Sequence, residues 1–364
     1  MRKSVFVFSE YFRGLDQSGL TGGVIALYEA VSALAQAFEL RIFSFDPAPA
    51  PEKLGGLSSR TVFLPAPKSG GLRLVVDWNR MLRRAYDEAV ENYGRPDAIV
   101  AINDTLPVLM LDETRQVKRI AFVQAYENFG VFCPQGSLVE RLNGLKRSLK
   151  TGLQSKKAIQ TADLVVVNSH YVDRTVQSHF GTTRTKVIYP PLSNIFADSP
   201  AQSDPSAPFT VGFVTRSSGK NLPFVVALAK KMPEANFKIF GNLTAPLMHP
   251  SNVELMGWFP NRREMFSKAK VWIVPSKWSE PFGMVSVEAQ ASGRSVFVSN
   301  RGGLPETVPT PDRVLSTFDR GLWARRINEA FERPQMPDRD FLEQFQLDRI
   351  GRNWLATLSQ LVGS

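Results

Sequence analysis

The chain has 364 residues, 43% of them hydrophobic and 21% charged, the make-up of an ordinary soluble globular protein rather than a disordered, fibrous or membrane-spanning one. A single core stops growing near about 250–300 residues, so two domains are expected. The 44 Lys and Arg outnumber the 34 Asp and Glu, leaving a net charge of +10 that suits anionic partners such as nucleotides, nucleic acid or acidic lipid headgroups, and equally a basic surface with no particular target.

In chain order, the opening "MRKSVFVFSEYF" carries only "VFVF" as an apolar block. That is too short for a signal peptide and reads as a first strand, 4–9. "GGVIALYEAVSALAQAF" (22–38) follows with helical spacing, then "LRIFSF" (40–45), "DAIVAI" (97–102), "RIAFVQ" (119–124), "LVVVNS" (164–169) and "TKVIYPP" (185–191) read as strands with helices between them. Continuous apolar runs, rather than alternating ones, fit parallel strands covered on both faces. The single cysteine, Cys133, excludes an internal disulfide and points to a reducing compartment. No window nears the ~18 uninterrupted apolar residues of a membrane span. A cytoplasmic protein is therefore expected, either free or peripheral on the inner face of the plasma membrane.

At 196–208, "FADSPAQSDPSAP" has little to bury and reads as a linker. The alternation then restarts with "FTVGFVT" (209–215), a helix over 221–231, "FKIFG" (237–241), "VELMGW" (253–258), a helix over 261–269, "VWIVPS" (271–276), a helix from 284 and "SVFVSN" (295–300). The expected fold class is α/β, as two Rossmann-like domains facing a central cleft. Residues 1–195 form the first domain and 209–345 the second. The amphipathic tail, 346–364, is expected to pack back on the first domain.

"SEPFGMVSVEAQASG" (279–293) places Glu280 before a helix and Glu288 about one turn inside it, with no charge between them. The helix start presents unpaired N–H groups at Gly283, Met284 and Val285, a nest for phosphate. Carboxylates on either side would accept hydroxyls, which suits a nucleotide-sugar. The alternative is a helix cap and a solvated helix position. "FVTRSSGKNLP" places Arg216 and Lys220 four apart, able to clamp a diphosphate or to stand as solvated loop cations. "GLTGGV" puts Gly22 and Gly23 at another helix start, where a plain turn is the other reading.

These motifs resemble the retaining, family-four type of GT-B glycosyltransferases. "EPFGMVSVEAQASG" is similar to that family's Glu–seven–Glu signature, and "VFVSNRGGLPE" to its next strand and Gly-Gly loop. The resemblance implies that Glu280 holds hydroxyls of the donor sugar and that Glu288 holds ribose hydroxyls. Backbone N–H groups of Phe282, Gly283, Met284 and Val285 would line sugar and phosphates. It also implies that Arg216 and Lys220 grip the diphosphate, though the family usually spaces them by five. Gly22 and Gly23 would face donor and acceptor, and the base would rest by Phe259 and Asn261, with Trp258 either stacking or core.

The family's histidine after the strand matching "RIAFVQ" is absent. Gln124 stands there, and the three histidines are at 170, 179 and 249. The resemblance then implies a front-face mechanism without a histidine base, with Gln124 and Glu127 orienting the acceptor. His170 reads as part of a helix start. "DRD" (338–340) has the spelling of a metal motif but reads as a helix cap, and no metal or other cofactor is expected.

"RLNGLKRSLKTGLQSKKAIQ" (141–160) has leucines at helical spacing among Lys and Arg. It is compatible with a solvated basic face or with an anionic membrane surface, the latter implying a lipid-linked acceptor. The expected function is transfer of a hexose from a nucleotide-diphosphate sugar, UDP or GDP, to a hydroxyl of a glycan or lipid-linked glycan in polysaccharide or lipopolysaccharide synthesis. The alternatives are a sugar-nucleotide epimerase of GT-B-like fold and a non-catalytic nucleotide-sugar-binding protein. Nucleic acid is not an expected partner, since no basic segment is interleaved with aromatics.

Overall fold

The computed structural model describes residues 2–9, 22–45, 55–67, 71–125, 153–193, 208–215, 218–241, 248–259 and 261–363. The proposed linker, 196–208, lies outside them except for its last residue. Two compact units are present. One comprises Met1–Pro134, Leu138–Pro191 and Leu347–Ser364, the other Gln135–Ser137 and Leu192–Gln346.

The first unit is built on a seven-stranded parallel sheet of β1 (Ser4–Ser9), β2 (Glu39–Ser44), β3 (Thr61–Phe63), β4 (Ala98–Ile102), β5 (Lys118–Val123), β6 (Leu164–Val167) and β7 (Thr185–Val187). Its spatial order is β3-β2-β1-β4-β5-β6-β7. The helices are α1 (Gly22–Ala37), α2 (Gly71–Tyr93), α3 (Leu153–Thr161), α4 (His170–Phe180) and, from the far end of the chain, α10 (Leu347–Val362).

The continuous apolar run of β1 serves both faces. Phe6 and Phe8 enter the core under α2, α3 and α4, whereas Val5 and Val7 enter the core under α1 and α10. This is the period-2 consequence of a pleated strand covered on two sides. On α10, Ile350, Trp354 and Leu358 recur every four residues and are buried, and the Trp354 ring meets Phe122 edge-on at 4.9 Å. Gly351 lets α10 approach α1 closely, since a Cβ there would lie 3.1 Å from that of Ala33.

The second unit repeats the plan with β8 (Thr210–Val214), β9 (Asn236–Phe240), β10 (Val253–Gly257), β11 (Val271–Val274), β12 (Ser295–Ser299) and β13 (Val314–Leu315), all parallel, in the order β10-β9-β8-β11-β12-β13. Its helices are α5 (Leu222–Lys231), α6 (Arg262–Ser267), α7 (Met284–Ala291), α8 (Arg320–Glu332) and α9 (Arg339–Glu343). Trp272 of β11 is fully buried, stacked on Phe240 at 5.4 Å and edge-on to Phe266 at 4.7 Å. Gly212 on the neighbouring strand makes room for it, since a Cβ would come within 2.6 Å of the indole.

Both units are thus Rossmann-like. In each, strand order reverses at the middle of the sheet, between β1 and β4 and between β8 and β11. Loops leaving the carboxyl ends of those strands diverge and open a crevice, where ligands of such sheets bind.

Candidate active site

In the second unit the two loops at this reversal meet. β8 ends at Val214, and a tight turn, Ser218–Lys220, leads into α5 through Asn221. Asn221 is in the left-handed region (φ 67°), a conformation asparagine tolerates better than most residues. β11 ends in the 275–283 loop, which leads into α7. The carbonyl of Gly219 accepts from the N–H of Lys277 at 2.9 Å and of Trp278 at 3.3 Å, joining the two loops through the backbone.

The side chains meet too. Lys220 Nζ lies 2.5 Å from Glu280 Oε1, and Ser276 Oγ donates to the same oxygen. Glu280 is only 4% exposed, and its reading as a helix cap falls, since the cap position is Gly283 and no side chain caps the helix. The ammonium has three N–H donors and spends one on Glu280. The second carboxylate oxygen of Glu280 has no hydrogen bond among the described residues. Each partner therefore holds the other in place and keeps capacity for a ligand. Arg216, the other expected cation, lies outside the described residues.

The backbone around Glu280 is fixed by the loop after β12. Glu280 bridges Gly302 in parallel register, and the N–H of Gly303 donates to the Glu280 carbonyl at 2.7 Å. Gly302 has φ +64°, and a Cβ there would sit 2.2 Å from the Glu280 carbonyl oxygen. The Gly-Gly pair is needed for this approach.

α7 begins at Met284, after Gly283 at φ 128°. Gly283, Met284 and Val285 are half-buried at the surface of the unit. The first N–H groups of a helix have no acceptor within it, and with the helix dipole they favour an anion. Phe282 is buried, its ring 5.5 Å from that of Phe345. Beneath the helix start, Gln290 Nε2 donates to the Thr307 carbonyl at 2.6 Å, and Thr307 Oγ1 donates to Ser286 Oγ at 2.9 Å. Arg313 Nη1 donates to Gln290 Oε1 at 3.1 Å. Burial lowers the affinity of Arg313 for its proton, an effect opposed by Asp312 and Asp338.

Glu288 is fully buried, and Arg262 Nη2 donates to its Oε1. It is therefore not the solvated helix position of the alternative reading. Phe259 is half-buried, edge-on to Phe240 at 5.9 Å with Lys268 Nζ 5.8 Å from its ring centre. Trp258, left open between stacking and core, is half-buried. Asn261 is exposed and caps α6, its Oδ1 accepting from the N–H of Glu264 at 3.0 Å.

In the first unit, Gly22 and Gly23 open α1. Gln124 follows β5 and is buried. Its N–H and that of Ala125 donate to Oδ1 of Asn103 at 3.1 and 3.4 Å, and Asn168 Nδ2 donates to the Gln124 carbonyl at 2.8 Å. Glu127 lies outside the described residues. His170 begins α4, whose cap is Ser169 accepting from the N–H of Val172. Asp338 caps α9.

Sequence reasoning missed Ser276 and Arg262. A small polar residue at the carboxyl end of β11 was a signal available for Ser276. Arg262 stands 26 residues from Glu288, in no spacing that secondary structure would reveal.

The chain is similar to known proteins over part or all of its length. Residues 197–340 match the family described as glycosyl transferases group 1. A protein of Klebsiella pneumoniae named only as an uncharacterised 42.6 kDa protein in the cps region is 29% identical over 184 residues, 45% of this chain and 47% of the relative. The D-inositol 3-phosphate glycosyltransferase of Streptomyces scabiei is 35% identical over 78 residues, 21% of this chain and 17% of that enzyme. The chain thus spans about half the length, or less, of these curated relatives.

Among solved structures, sucrose-phosphate synthase from Thermosynechococcus elongatus matches with a TM-score of 0.76 at 19% identity, covering 99% of both chains. Anabaena HepE, solved in complex with UDP-glucose, matches with 0.73 at 16% identity, covering 98% of this chain and 100% of that one. The fold is that of the GT-B glycosyltransferases, and the stretch similar to the glycosyl transferases group 1 family, 197–340, falls in the second unit.

Proposed function

We propose that the protein is a retaining hexosyltransferase. It takes a sugar from a nucleotide-diphosphate donor, UDP or GDP, and moves it to a hydroxyl of a glycan or lipid-linked glycan. The observation that carries this is the Lys220–Glu280 pair at the strand-order reversal of the second unit, beside the N-terminus of α7. Cations and helix N–H groups there suit a diphosphate, and a carboxylate next to them suits sugar hydroxyls. HepE, solved with UDP-glucose, supports a nucleotide-sugar donor. The cps-region relatives support a role in polysaccharide synthesis.

The diphosphate gains negative charge as the bond between its oxygen and the sugar's anomeric carbon breaks. Lys220, Arg216 and the N–H groups of α7 stabilise that charge. The acceptor hydroxyl attacks the same face of the sugar, and its proton passes to the departing diphosphate oxygen, so no histidine base is required. Glu280, held by Lys220 and Ser276, fixes the sugar. Gln124 and Glu127 are assigned to the acceptor. No metal is called for, since protein groups meet the charge.

The test is to incubate the chain with UDP- and GDP-hexoses and glycan acceptors and to determine the anomeric configuration of the product. Transfer with retention supports the reading. Inversion would contradict the mechanism. Epimerised sugar-nucleotide, or donor binding with no turnover on any acceptor, would contradict transfer itself.

A further inference from the structure

Helix α2 carries its charge the wrong way round. Its first half, 71–84, holds Arg73, Arg80, Arg83 and Arg84 against Asp77 alone. Its second half, 85–93, holds Asp87, Glu88 and Glu91 and no base. A helix dipole favours acids at the start and bases at the end, so this arrangement costs the helix stability and calls for another reason. The arginine side chains are not buried: Arg73, Arg80, Arg83 and Arg84 are 84%, 76%, 49% and 80% exposed. Each makes a surface ion pair, Arg73 and Arg80 sharing Asp77. Such pairs contribute little and leave the side chains able to turn to another anion.

Apolar residues stand among the arginines. The core-facing stripe of α2 includes Trp78, Leu82, Ala85, Tyr86 and Ala89. Val76 lies on the opposite face and is 55% exposed. At about 100° per residue, the four arginines fall within about 80° of it. Leu74 and Val75, next to it in sequence, are half-buried and join neither core of the first unit among the described residues. A helix that joins two parallel strands runs against them, so α2 starts at the carboxyl ends of the sheet. Trp78 Nε1 fixes it there, donating to the Asp104 carbonyl just beyond β4 at 2.8 Å.

We propose that the first half of α2 is a docking surface for an anionic lipid membrane. The arginines meet lipid phosphates, and the Leu74–Val76 run enters the boundary between headgroups and acyl chains. The acidic second half is repelled by the same surface, so only the end at the strand carboxyl ends is drawn down. Nucleic acid would pair with the arginines but has no use for apolar residues between them. The inference goes beyond the transfer reaction and stands apart from the donor site. It would bring the end of the sheet that carries Gln124 to the surface where a lipid-linked acceptor lies.

The test is sedimentation of the full chain with vesicles of phosphatidylcholine alone and of phosphatidylcholine mixed equally with phosphatidylglycerol. Wild type is expected to pellet with the anionic vesicles only, and to be released by salt. Arg73→Gln, Arg80→Gln and Arg84→Gln together should lower partitioning by roughly 100-fold, about fivefold for each charge removed near the surface. Val76→Asp should lower it as well. Removing as many charges from α5 and α8, by Lys230→Gln, Lys231→Gln and Arg325→Gln, should change it less than about threefold. Every residue substituted is exposed, so folding is not at stake. An α2 triple variant that partitions like wild type overturns the proposal. So does a loss that follows Lys156→Gln with Lys157→Gln on α3 instead, or a wild type that binds duplex DNA and no vesicle. Titration of the same protein with UDP and GDP separates the two readings: nucleotide binding without vesicle binding removes the docking surface and leaves the donor site standing.

Discussion

Lys220 and Glu280 stand 60 residues apart in sequence and 2.5 Å apart in space. Each limits the freedom of the other, so their contributions to turnover should not add. Glu280→Gln keeps the volume and removes the charge, and a loss of about 10²–10³ in kcat is expected, the scale of one lost transition-state contact. Lys220→Ala should weaken nucleoside diphosphate binding by roughly 10-fold, a charged hydrogen bond's worth. The double variant should lose markedly less than the sum of the two free energies. Strict additivity in a steady-state cycle would mean the pair does not act as a unit.

Away from the site, Glu29 on α1 is half-buried, and burial raises its pKa above the ordinary 4.5. Native protein therefore holds this proton after the unfolded chain has lost it, and stability falls as pH rises from 4.5 through the native value. Glu29→Gln should raise Tm at pH 7, with the gain vanishing below about pH 4.5. A variant whose gain is independent of pH would show that burial of this carboxyl is not the cause.

At the scale of elements, the start of α7 is held by its neighbours. The Gly302–Gly303 turn grips the backbone of Glu280 from one side, and Ser286, Gln290 and Thr307 tie the helix to the same loop from beneath. Gly302→Ala should cost stability, since it combines a left-handed φ with a Cβ 2.2 Å from a carbonyl oxygen. Donor affinity should fall with it, because the displaced atoms belong to Glu280. Thermal melting and nucleotide titration on the same variant check this, and a stability loss with unchanged affinity would separate the turn from the site.

The elements themselves were largely legible. β1 and α10 fall where their apolar patterns put them, the interior strands differ from the expected ranges by no more than two residues, and the edge strand β7 stops four residues short of its expected end. Two edge strands were not. β3 and β13 have three and two residues and pair on one side only, so neither needs the continuous apolar run that betrays a strand covered on both faces. The site was legible where a motif packs several contacts into one local segment, as in 280–288. It was not legible where a contact joins distant segments, as Arg262 does with Glu288, because no local periodicity records it.

At the scale of the molecule, two sheets of the same winding carry different loops at their reversals. The second presents cations, a carboxylate pair and a helix start. The first presents Gln124, backed by Asn103 and Asn168. If protein groups alone meet the diphosphate charge, transfer should proceed unchanged in EDTA. Loss of turnover restored by a divalent cation would assign that charge to a metal instead.

Among the described residues no helix is long and apolar enough to cross a membrane. Lys156 and Lys157 are exposed on α3, the described end of the basic 141–160 segment; its earlier residues, 141–152, lie outside the described ones. Binding to anionic but not neutral vesicles would be the mark of a basic face that meets a membrane surface. The deciding property of the protein is where a nucleoside diphosphate binds. A crystal structure of the chain with UDP or GDP should place the diphosphate within about 3.2 Å of Lys220 Nζ and of an N–H at the start of α7. A nucleotide lodged at any other edge of the second unit, with the Lys220 and Glu280 loops untouched, would contradict it.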